Sequence, residues 1–131
     1  MVRLLVGTDG VETSERLLDY LVAVVEGDDV YVVNSLVGGD DTSPDDVRAG
    51  EEALALLGDG LADATAVERN QFVRGNEPVE DLLAAAEEWD ADEYVIGIRK
   101  RSPVGKMVFG STAQNLLLEA DRPVRCVPLV P

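Results

Sequence analysis

Four of the eleven basic residues, Arg99, Lys100, Arg101 and Lys106, fall within eight positions, and both lysines of the chain are among them. Positive charge gathered in this way inside an acidic chain suits the holding of an anion. The residues that follow strengthen the reading. Gly110, Ser111 and Thr112 open a stretch that predicts a helix, and the first backbone N–H groups of a helix lack intrahelical partners and carry the positive end of its dipole. A basic loop leading onto such a terminus makes an anion site. Gly97 and Gly110 let backbone approach a phosphate closely, while Ser111 and Thr112 offer hydroxyl hydrogen bonds. Each residue also has a purely structural use: a helix cap at Ser111 or Thr112, turn geometry at the glycines, pairing of the basic side chains with acidic neighbours. Their combination on one loop favours a phosphate-bearing ligand.

The composition excludes several other chemistries. The 131 residues include no histidine and one cysteine, Cys126. That removes Ser-His-Asp and Cys-His nucleophile systems, imidazole metal ligands, an internal disulfide and a multi-cysteine metal site. The formal net charge of -15 repels nucleic acid and anionic membranes at long range, so neither is an expected partner. Acidic residues spread through nearly every segment suit a proteome living in concentrated salt, where screening makes self-repulsion tolerable. The hydrophobic share of 46% and the length indicate one domain spanning residues 1–131 with a real core. The opening apolar run is too short for a signal-peptide core or a bilayer span, and a soluble cytoplasmic protein is the expectation.

The elements that must position the basic loop follow from periodicity. Residues 2–8 read as a buried strand ending at Gly7-Thr8-Asp9, and a helix begins near Thr13, with Thr13 or Ser14 as cap and Gly27 as stop. Val30–Leu36 is a second strand covered on both faces, and Val37–Pro44 is a loop. A helix starting near Asp45 or Asp46 runs to about Ala64, weakened by Gly50, Gly58 and Gly60. Val67–Val73 is a less apolar strand near a sheet edge. Pro78 opens a third helix ending around Trp89, Glu93–Gly97 is the fourth strand, and residues 98–109 form the basic loop. The fourth helix shows a broad apolar side at Leu116, Leu117 and Leu118, and Val124–Val130 is the last strand, with Cys126 and Trp89 as core residues.

Strand-helix alternation of this kind predicts an α/β fold, a single open parallel sheet of five strands with helices on both faces. Ligands of such sheets bind beyond the carboxyl ends of the strands, where strand order reverses. The residues to watch are therefore Gly7-Thr8-Asp9, Asn34-Ser35, Arg74-Gly75-Asn76 and Gly97 through Thr112. No Walker A loop is present, because Met107 follows Gly105-Lys106, and no Gly-x-Gly-x-x-Gly occurs.

Over essentially its whole length the chain resembles the universal stress protein family. That family's nucleotide signature is Gly, two residues, Gly, nine residues, Gly, then Ser or Thr. Here Gly97-Ile98-Arg99-Lys100 is followed by the nine residues Arg101 to Phe109 and then Gly110-Ser111, with Lys100 replacing the second glycine. Val6-Gly7-Thr8-Asp9-Gly10 resembles the family's first strand and its Asp-containing turn. The resemblance implies a Rossmann-like fold of the adenine nucleotide alpha hydrolase type, dimerisation through the last strand and, in one branch, an ATP site. Transferred by position, Asp9 lies beside the adenine or ribose, Ser35 touches the base and Gly97 approaches the ribose-phosphate. Gly110, Ser111 and Thr112 hold the phosphates, and Lys100 either crowds the phosphate path or, with Arg99 beside it, adds charge to it.

The function these features imply is an ATP-binding sensor or regulatory module in a stress response, a homodimer through residues 124–130, with Mg2+ arriving on the nucleotide. Catalysis beyond slow hydrolysis is not expected, since no group is identified that activates an attacking water. The alternative is a dimeric interaction protein whose signature is vestigial. A response-regulator receiver domain fits poorly, because Arg74-Gly75-Asn76 and Pro128–Pro131 stand where it needs an aspartate and a lysine.

Overall fold

The computed structural model describes residues 2–99 and 110–129. Lys100, Arg101 and Lys106 of the basic loop lie outside them, as does Val130, and the last strand, expected to run to Val130, closes at Pro128.

Strand β1 (Arg3–Gly7) leads through a turn to α1 (Val11–Val24), then β2 (Asp29–Leu36), α2 (Pro44–Leu61), β3 (Val67–Val73), α3 (Pro78–Trp89), β4 (Glu93–Ile98), α4 (Ser111–Glu119) and β5 (Val124–Pro128). The five strands form one sheet in the order β3-β2-β1-β4-β5, with every neighbouring pair parallel. The chain builds outward from β1 to β2 and β3, then returns to β1's other side with β4. The reversal therefore falls between β1 and β4, where Leu4, Leu5 and Val6 pair with Glu93, Tyr94 and Val95.

Two cores flank the sheet because successive residues of a strand point to opposite faces. Leu4, Val6, Val30 and Val32 pack with Leu17 and Leu21 of α1 and with Leu54, Leu57 and Leu61 of α2. Leu5, Val33 and Ile96 face the other way, against Val79, Leu82 and Ala86 of α3 and Ala113 and Leu116 of α4. Each fully buried leucine contributes about 1.5–3 kcal/mol of transfer free energy.

Several local expectations need correction. Helix α1 starts at Val11 with Gly10 as its N-cap, and neither Thr13 nor Ser14 caps it. Helix α2 starts at Pro44, because Ser43 and Asp46 close a reciprocal capping box around it. Its glycines are contact points rather than weak spots: a Cβ on Gly50 would collide with the side-chain amides of Asn34 and Gln71. In α4 Leu116 is buried, whereas Leu117 and Leu118 are 41% and 77% exposed. Three consecutive residues about 100° apart cannot all face one sheet. Cys126 is exposed, while its neighbour Val127 is buried among the α1 and α2 side chains. The alternation that buries one turns the other outward on this edge strand. Trp89 is half-buried, tilted against Tyr31 with ring centroids 5.4 Å apart and covered by the Arg3 guanidinium at 4.1 Å.

Candidate functional site

Beyond the carboxyl ends of β1, β2 and β4 lies a cavity of about 310 Å³, lined by residues that include Thr8, Asp9, Ser35, Gly97, Arg99, Gly110, Ser111 and Thr112. These are eight of the nine positions expected from the sequence; the ninth, Lys100, is outside the described residues. Arg74, Gly75 and Asn76 do not line it. A volume of this size fits a small molecule.

Thr8 is held rather than offered. Its backbone N–H donates to the Val33 carbonyl at 3.0 Å, and its hydroxyl oxygen lies 2.7 Å from Ser14 Oγ and 3.1 Å from the Gly10 carbonyl. Asn34, buried at 1% exposure, donates to the Thr8 carbonyl and accepts from Gln71 Nε2, which also donates to the Val47 carbonyl in α2. This polar chain ties β1, β2, β3 and α2 together and fixes where the next residue, Asp9, emerges.

Asp9 accepts from Thr13 Oγ1 and from Arg99 Nη2, the latter at 3.1 Å. Arg99, expected to face a ligand, is thus paired with a carboxylate here. Their side chains are 42% and 66% exposed, and pairs in that setting contribute roughly 0–1 kcal/mol. A polyanion offering more acceptors can redirect the arginine at small cost.

The N-terminus of α4 forms the neighbouring wall. Its N-cap is Gly110, extended at φ -64 and ψ 160, and neither Ser111 nor Thr112 caps the helix through its side chain. The first turns of the other three helices carry acidic residues: Glu12 in α1, Asp45 and Asp46 in α2, Glu80 and Asp81 in α3. The first turn of α4 carries none. The N-terminal turns of α1 and α3 also reach the cavity, through Thr13 and Pro78, but in a chain with 26 acidic residues the α4 terminus is the one of these left without a first-turn carboxylate.

Apart from Thr13, the rest of the lining is apolar: Gly7, Val33, Pro78, Leu82, Ile96, Ala113 and Leu129. Gly97 is the close-approach point, where a Cβ would press against the Leu129 side chain at 2.5 Å. This slot escaped the sequence reading because its residues look like ordinary core.

The other omission is Asp81, fully buried in the first turn of α3. It accepts from Ser35 Oγ at 2.6 Å, Arg74 Nε at 2.8 Å and Asn76 Nδ2 at 3.0 Å. Burial alone pushes its carboxyl pKa up. The hydrogen bonds from Ser35, Asn76 and Arg74, with the arginine's charge, outweigh burial and hold it below the usual carboxylate value. The available signal was Arg74 and Asn76 converging after β3 on an acid one turn into the next helix.

The cavity thus joins an apolar slot to an end lined by the Asp9–Arg99 pair and the N-terminus of α4, at the point where strand order reverses. The Universal stress protein family model matches residues 1–128. The chain belongs to the universal stress protein family. A universal stress protein from Archaeoglobus fulgidus is 36% identical, with 97% of this chain and 98% of that chain covered and a TM-score of 0.77. A second structure, the Archaeoglobus fulgidus protein in complex with dAMP, is 33% identical over 97% of this chain and 98% of that one, also with a TM-score of 0.77. A Mycolicibacterium smegmatis universal stress protein is 53% identical over 53 residues, 40% of this chain and 41% of that relative's length. No helix among the described residues is long and apolar enough to cross a membrane.

Proposed function

We propose that this universal stress protein binds an adenine nucleotide in the cavity and serves as a binding or sensing module in a stress response. The observation that carries the reading is the α4 N-terminus, free of acid in its first turn and lining the same cavity as Arg99 and the apolar slot. The slot suits a base, and the exposed amides with Ser111 and Thr112 suit phosphate. The dAMP complex of the Archaeoglobus fulgidus protein supports this assignment.

In this reading Ser35 meets the base, Thr8 positions Asp9, and Asp9 meets the ribose once Arg99 turns toward phosphate. Gly97 lets the ribose-phosphate come close, and Gly110, Ser111, Thr112 and Lys100 hold the phosphates. Among the described residues no three His, Cys, Asp or Glu side chains cluster as a metal site, so Mg2+ would be held chiefly by the phosphates of ATP. Pairing of two copies along the outer edge of β5 is part of the proposal, since among the described residues no strand pairs with that edge and such an edge presents unpaired backbone groups.

The deciding experiment is mass spectrometry of ligand released from protein purified without added nucleotide, followed by calorimetry with ATP and AMP in molar KCl. An adenine nucleotide in the first, or binding in the second, is the expected result. Absence of both would move the assignment to an interaction module with a vestigial signature.

A further inference from the structure

We propose that Ser35 and Asp81 together select the base: the buried carboxylate fixes the Ser35 hydroxyl as a hydrogen-bond acceptor toward the cavity, so the slot favours a ring bearing an amino group over one bearing an oxo group. The inference rests on the nucleotide reading of the cavity and adds the source of its discrimination. Val33 and Ser35 share the face of β2 that α3 covers, and both line the cavity with Pro78 and Leu82. In this proposal a base sits in the slot with its 6-position against Ser35.

A serine hydroxyl has one hydrogen to give and two lone pairs to receive. That hydrogen goes to Asp81 Oδ2 at 2.6 Å. Asp81 cannot release it readily, because its other oxygen is bound by Arg74 and Asn76 and the carboxylate stays ionised. An ionised carboxylate only accepts, so Ser35 is its donor and only lone pairs remain for a ligand. The 6-amino group of an adenine nucleotide donates to such an oxygen, whereas the 6-oxo group of a hypoxanthine nucleotide places acceptor against acceptor. Asp81 acts through Ser35 and is a positioning residue.

The test is calorimetry of AMP and IMP with the wild-type chain, Ser35→Ala, Ser35→Thr and Asp81→Asn. The wild type should prefer AMP by about tenfold or more. Ser35→Ala should weaken AMP about two- to tenfold, the range for one lost hydrogen bond, with IMP nearly unchanged, and Ser35→Thr should restore the ratio. Asp81→Asn places an amide that can donate to Ser35 and turn its hydroxyl hydrogen toward the cavity, which should narrow or reverse the preference. A structural role alone would weaken both nucleotides in parallel and leave the ratio fixed. If the wild type binds AMP but shows no preference, or Ser35→Ala leaves the ratio unchanged, this inference is overturned and the nucleotide reading stands. Should the wild type bind neither nucleotide, the nucleotide reading itself falls and this inference with it. Ser35→Ala decides alone if Asp81→Asn does not fold.

Discussion

The Asn34 side-chain amide donates to the Thr8 carbonyl at 3.0 Å while its oxygen accepts from Gln71 Nε2 at 3.0 Å, so the backbone entering the cavity is anchored from inside the sheet. Replacing Asn34 by Leu leaves Gln71 and the Thr8 carbonyl short of partners. The expected cost is about 1–3 kcal/mol for each group left unsatisfied, seen as a lower urea midpoint at constant slope, with weaker AMP binding. An unchanged midpoint would show that the chain of amides is incidental.

Ser111→Asp should move stability and binding in opposite directions. It gives α4 the first-turn carboxylate that α1, α2 and α3 already have, which favours the helix by about 0.3–1 kcal/mol. The same charge repels phosphate. Thermal melting should therefore rise slightly while AMP binding falls at least tenfold; undiminished AMP binding would contradict phosphate docking there.

The acid limb of stability should report Asp81. Its pKa is lowered in the folded chain, so the ionised form favours folding. That contribution is fully present above the unfolded value, near 3.9, and is lost as pH falls through the lower folded value. At pH 7, Asp81→Asn should cost about 1–3 kcal/mol, and the gap from wild type should shrink below about pH 4. A gap constant down to pH 2 would exclude the carboxylate as its source.

Low ionic strength should destabilise the whole molecule. With a net charge of -15, self-repulsion is damped only when the Debye length is short, about 3 Å at 1 M salt against about 10 Å at 0.1 M. Melting followed across a KCl series should climb steeply with salt. A flat series would show that the acidic surface tells nothing about habitat.

Cys126 is an exposed reporter on the outer edge strand. If two copies pair along β5, maleimide labelling of the native protein should slow as concentration rises and light scattering should move from monomer to dimer mass. Labelling independent of concentration, at monomer mass throughout, would remove the edge-pairing model.

Strand-helix alternation was legible because apolar runs and turn residues repeat cleanly, and the limits of β3 and the start of α3 at Pro78 follow the sequence closely. The polar half of the cavity was legible for a different reason: strand ends and helix starts are local features. What stayed hidden depends on partners distant along the chain. Ser35 and Asp81 stand 46 residues apart and Asp9 and Arg99 stand 90 apart. Leu117, Leu118 and Cys126 were misassigned because hydrophobicity does not say which side of an element the sheet covers.

Pro78, Asp81 and Leu82 occupy a single turn of α3, and they supply both a wall of the slot and the ion behind Ser35. Width and polarity at that end are consequently geared to one another. If Ser35 selects the ring as proposed, a small rotation of this helix, or an exchange at the Arg74–Asp81 ion pair, would retune the preferred ring and its fit in the same stroke, so relatives with altered ligand taste should differ here before they differ at the N-terminus of α4.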